Sequence, residues 1–101
     1  MAKASNGKNN TAGRYNTRSQ TFSLAAPTAA SVELVGSFTH WQAKPIQMQK
    51  GLDGVWRSTV ELTAGAHAYR FIVDGQWHDD PECALHAPNP YGTQDAIRQV
   101  A

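Results

Sequence analysis

Only one cysteine, Cys83, occurs in the 101 residues, so no disulfide can close within the chain and the thiol fits a reducing compartment. No CxxC and no metal-ligand spacing accompanies it. It reads as a plain thiol without a role. Long apolar runs are missing as well, which excludes a bilayer-spanning helix, and "MAKASNGKNNTAGRYNTRSQ" lacks the apolar core of a secretory leader. A cytoplasmic location is the expectation. Acidic residues are absent from positions 1–20, which hold Lys3, Lys8, Arg14 and Arg18, leaving five Lys/Arg against eight Asp/Glu in the remainder. Four charges spread over twenty polar residues make a weak footprint for nucleic acid. The expected organisation is a solvated, disordered tail over 1–20 and one domain over 21–101, with neither nucleic acid nor membrane as partner.

Helical periodicity and the usual catalytic signatures are lacking too. Neither GxxxxGK[ST] nor GxGxxG occurs, so no nucleotide cradle is supported. His40, His67, His78 and His86 share no zinc-like spacing, and "HDDPEC" (78–83) reads as a solvated loop and not as a metal set. Asp79 and Asp80 are neighbours on an extended segment, where side chains point opposite ways, and are read as turn-forming carboxylates. No nucleophile sits with a base. The chain is therefore expected to be no enzyme, to need no cofactor and to bind no metal.

What the sequence does hold, from Thr21 onward, is a series of short runs rich in Val, Ile, Phe, Tyr, Trp and Thr, punctuated by Gly, Pro and Asp-Gly pairs. "TFSLAA" (21–26), "SVELVGSF" (31–38), "IQMQ" (46–49), the strand within "LDGVWRSTVEL" (52–62), "AHAYRFIV" (66–73), "QWH" (76–78) and "DAIRQV" (95–100) are the expected strands. In the fourth, Trp56, Ser58, Val60 and Leu62 share one face and Arg57, Thr59 and Glu61 the other, and in the fifth Tyr69, Phe71 and Val73 lie on one side and Ala68, Arg70 and Ile72 on the other. Asp74-Gly75 suits a type I′ hairpin turn. About seven short strands in some 80 residues argue an all-β, antiparallel two-sheet sandwich of immunoglobulin-like outline.

Two of the three tryptophans do not fit a core pattern. Trp41 in "GSFTHWQAKP" sits among Thr, His, Gln and Lys, and Trp77 in "DGQWHDD" follows a turn and precedes three polar residues, whereas Trp56 is in phase with Val60 and Leu62. Exposed ring faces beside hydrogen-bonding groups suit sugars, which stack C–H faces on aromatic rings and share hydroxyls with polar neighbours. A Trp near a turn can equally cover the edge of a sandwich.

The segments "VELVGSFTHWQAKPIQM", "DGVWRSTVELTAGAHAYRFIVDGQWHDDP" and "NPYGTQDAIRQV" resemble the glycogen-binding module of the AMP-activated protein kinase β subunit, within carbohydrate-binding module family 48. G-S-F-x-x-W, D-G-x-W, G-x-x-x-Y-[KR]-F-x-V-D-G-x-W-x-x-D-P and a late G-T come in order over residues 21–100. The resemblance implies an early-set β-sandwich that holds α-1,4-linked glucan without catalysis, and a glycogen-metabolising enzyme or kinase as a partner in trans. By position it implies Trp41 and Trp77 as stacking rings, Arg70 as the basic residue, Tyr91 as the loop residue that is commonly Leu, Thr93 beside it, and Asp95 where the family has Asn. A carboxylate at 95 accepts hydrogen bonds but cannot donate them, and is expected to pair with Arg70 in the free protein. A protein-interaction domain of the same fold without sugar binding is the competing reading.

Overall fold

The computed structural model describes residues 16–101. Among these residues nine antiparallel strand segments build two sheets: β1 (Thr17–Ala25), β2 (Val32–Gly36), β3 (Ile46–Gln47), β4 (Gln49–Lys50), β5 (Val55–Thr63), β6 (Gly65–Val73), β7 (Gln76–His78), β8 (His86–Pro88) and β9 (Gln94–Val100). One sheet runs β3-β2-β6-β9-β8, with β7 also paired to β6, and the other runs β1-β5-β4. The architecture is the all-β antiparallel sandwich read from the sequence. Two features raise the number of segments above seven. The run 46–49 divides at buried Met48, so that β3 joins one sheet and β4 the other, and His86–Pro88 forms a short strand where the sequence pattern indicates none.

Alternation decides which side chains meet between the sheets. Phe22 and Leu24 from β1, Trp56 and Leu62 from β5, Val32 and Leu34 from β2, Tyr69 and Phe71 from β6, and Ala96 and Val100 from β9 form one buried cluster. Trp56 is a core residue, as its phase indicates, and its Nε1–H donates to Ala26 O at 2.9 Å, so burial leaves no polar orphan.

The first strand begins at Thr17, four residues ahead of the apolar pattern, and its ladder to β5 runs from Thr17↔Thr63 to Ala25↔Val55. Side-chain pairing holds this polar end. Thr17 Oγ1 donates to Glu61 Oε1 at 3.0 Å and Ser19 Oγ to the other carboxylate oxygen, and these hydroxyls, Ser19 first, hold the Glu61 carboxyl below its ordinary pKa. Arg98 on β9 reaches across to Gln20 Oε1 and Thr21 O, both at 3.2 Å, with its guanidinium 4.1 Å from the Phe22 ring centre. Most of the expected tail, residues 1–15, lies outside the described residues.

Candidate functional site

The outward face of β6 carries the middle of the site. Tyr69 and Phe71 point to the core, which turns Arg70 and Ile72 outward. At the end of β6, Asp74 and Gly75 adopt φ of 49° and 83°, both positive as a type I′ turn requires, and the chain returns as β7. Asp74 Oδ1 accepts from the N–H groups of Ala30 and Ser31 at 2.8 and 2.9 Å, which ties the turn to the entrance of β2. The register Ile72↔Trp77 then sets the indole on the outward face, diagonal to Arg70. The guanidinium lies 5.3 Å from the Trp77 ring centre.

Trp41 arrives by a different route. After β2 the chain makes two short 3₁₀ turns, Ser37–Thr39 and Trp41–Ala43, and at their junction His40 and Trp41 both take positive φ, 51° and 55°. For residues with a Cβ each such conformation costs about 1–2 kcal/mol, so neighbouring contacts must hold it. Buried Thr39 supplies them. Its Oγ1 accepts from Gly36 N–H at 2.9 Å, and its single proton faces Trp41 O at 2.7 Å and Gly36 O at 3.0 Å. Gly36 is required for close approach, because a Cβ there would stand 2.4 Å from Ala68 O.

The third wall is the loop before β9. Asn89 organises it with every atom of its amide: Oδ1 accepts from Tyr91 N at 3.0 Å and Thr93 N at 3.2 Å, and Nδ2 donates to Thr93 Oγ1 at 2.8 Å and Asp95 Oδ1 at 2.9 Å. Tyr91 is left 89% exposed at the rim.

These three routes converge. Trp41, Arg70, Trp77, Tyr91, Thr93 and Asp95 all line one open cleft of about 760 Å³, and Gln42, Asn89 and Pro90 complete it. Trp77 is 43% exposed there, while Asp95 is buried at the floor.

Two expectations are corrected. Arg70 does not pair with Asp95: its Nη2 lies 2.9 Å from Asp79 Oδ1, and Asp95 is engaged by Asn89. Nor is "HDDPEC" a solvated loop throughout, although Asp80 does form a turn, its Oδ1 accepting from Glu82 N–H at 3.0 Å. Continued past Phe71↔His78, the hairpin register faces Asp79 with Arg70 on the outside at the first step and Asp80 with Tyr69 on the inside at the second. Asp80 is buried and accepts the Tyr69 hydroxyl at 2.6 Å, and Cys83 packs half-buried against the core with its thiol toward Leu85 O and Ile97 O. Asp79 and Asn89 were not singled out from the sequence as parts of the site. Counting cross-strand partners from the two-residue turn finds the first, and the Asn-Pro dipeptide, a favoured turn start, marks the second. Among the described residues no three His, Cys, Asp or Glu side chains come together as a metal-ligand group, and no helix is long and apolar enough to cross a membrane.

A family model described as the glycogen recognition site of AMP-activated protein kinase matches residues 21–100. The chain belongs to this family of carbohydrate-binding modules. Relatives of the glycogen-recognition module include a 1,4-alpha-glucan branching enzyme GlgB from Synechococcus sp. strain RCC307, 35% identical over 78 residues that make up 76% of this chain and 10% of that enzyme. Protein PTST homolog 2, chloroplastic, from Arabidopsis thaliana is 41% identical over 63 residues, 61% of this chain and 12% of that protein. A branching enzyme from Trichodesmium erythraeum is 30% identical over 77 residues, 76% of this chain and 9% of its own length. The module thus spans about a tenth of the length of the curated relatives it matches.

Proposed function

We propose that the cleft binds α-1,4-linked glucan by stacking sugar faces on Trp41 and Trp77, with Arg70, Thr93 and Asp95 exchanging hydrogen bonds with hydroxyls and Tyr91 covering the rim. The observation that carries this reading is the convergence of two indole rings and a guanidinium from separate elements on one open cleft. A neutral, hydroxyl-rich ligand matches such walls, since flat rings bury C–H faces while the polar atoms keep partners. The module performs no bond-making step in this reading. Its task is to hold polymer near an enzyme that acts on α-glucan, in the same protein or in trans, and the branching-enzyme relatives support that partner class. The single unpaired Cys83 supports a reducing, cytoplasmic setting.

Titration calorimetry with maltoheptaose, backed by retention on insoluble starch, tests the proposal. Trp41→Ala and Trp77→Ala are each expected to lose about 2 kcal/mol or more of binding while staying folded. Trp56→Phe serves as the control: it keeps both cleft rings and is expected to bind as the wild type does. Full affinity in Trp77→Ala removes that ring from the site, and no binding by the wild type overturns the reading.

A further inference from the structure

Arg70 stands where one edge of β6 changes partner. The β7 ladder ends at Phe71↔His78 and the β9 ladder begins at Tyr69↔Ala96, so continuing either register by one step brings a carboxylate to Arg70: Asp79 from one side and Asp95 from the other. The two carboxylates are not equivalent. Asp95 Oδ1 is taken by the Asn89 amide at 2.9 Å, whereas Asp79 Oδ1 meets Arg70 Nη2 at 2.9 Å.

We propose that Asp79 is a positioning residue of the glucan site, acting on the ligand only through Arg70. It does not line the cleft. An arginine side chain has many rotamers, and one that is free in the unbound protein must be ordered when sugar arrives. Asp79 fixes one end of the guanidinium beforehand and keeps its plane by the Trp77 ring, 5.3 Å from centre to centre. The Nε–H is buried without an acceptor among the described residues, so the terminal nitrogens are the groups left to meet hydroxyls. The pair is asymmetric, since 15% of the Arg70 side chain but 62% of the Asp79 side chain is exposed. Salt and solvent therefore reach the restraint more readily than the group it restrains.

The inference rests on the glucan reading, and a double-mutant cycle with maltoheptaose separates the two. Asp79→Asn is expected to bind about two- to fivefold more weakly than the wild type. Arg70→Gln is expected to weaken binding by more, and adding Asp79→Asn to it to change nothing further. Raising sodium chloride should lower the affinity of the wild type and of Asp79→Glu but leave Asp79→Asn unmoved. Thermal midpoints check folding, and Asp79→Ser replaces the Asn variant if that variant does not fold. An undiminished affinity in Asp79→Asn, or an equal loss in the Arg70→Gln background, overturns the positioning role while the glucan reading stands. Absence of binding by the wild type overturns both.

Discussion

Asp95 lines the cleft with one carboxylate oxygen occupied by the Asn89 amide, and the carboxylate has acceptor capacity only. Sugar hydroxyls must therefore donate to it. Asp95→Asn can keep its oxygen toward Asn89 and turn an N–H toward the ligand, and it removes a charge that neutral sugar has to desolvate. The expected result is binding about two- to tenfold tighter by calorimetry. Because Asp95 forms no ion pair with Arg70, the salt dependence of binding should be the same before and after the change. A fall in affinity would show the carboxylate to be the better acceptor for this ligand.

The elements that carry the rings differ in how they are held. Trp77 rides on a hydrogen-bonded hairpin, while Trp41 depends on a short turn in which two residues with a Cβ take positive φ. Gly36 is where that turn leaves the sheet, and Gly36→Ala sets a methyl 2.4 Å from a backbone oxygen that cannot swing aside. A stability loss of about 1–3 kcal/mol is expected in urea unfolding, together with weaker maltoheptaose binding from a displaced Trp41. The same contrast governs what the sequence could reveal. Trp56, Leu62, Tyr69 and Phe71 were legible because strand alternation places them without knowledge of anything distant. Arg70 was legible on the outer face for the same reason. The polar start of β1 was not, since Thr17 to Gln20 have no apolar phase and are held by Glu61 and Arg98, partners that only the assembled sandwich supplies. Asn89 was missed for a related reason: its turn signal says that the loop is tight but not that the loop faces Arg70.

Across the whole molecule, every residue lining the cleft lies between Trp41 and Asp95, and β1 begins at Thr17. Removing residues 1–15 should therefore leave maltoheptaose affinity within error of the full chain, whereas a cut that takes Thr17 and Ser19 breaks the Glu61 pairing and should lower the thermal midpoint. Alkaline pH probes the core. Burial, then the hydrogen bond to Asp80, pushes the Tyr69 hydroxyl well above its ordinary value, so the folded protein retains a proton that the unfolded chain releases near pH ~10. That stabilisation is fully present below about pH 10 and declines as pH rises beyond it. Urea midpoints taken between about pH 9 and pH 11 should fall more steeply in the wild type than in Tyr69→Phe, and parallel curves would exclude Tyr69 as the source. The change of partner along β6 has one more consequence. Between Asp79 and Asp95 the chain makes an excursion that starts beside Arg70 and comes back to it, anchored on the inside by Asp80 and bordered by the short β8. Residues added between Pro81 and Ala84, or at the Pro90–Gly92 tip, lengthen this excursion without moving a single ladder pair of β6. The reach of the recognition surface can thus drift, or be engineered, independently of the sandwich that supports it.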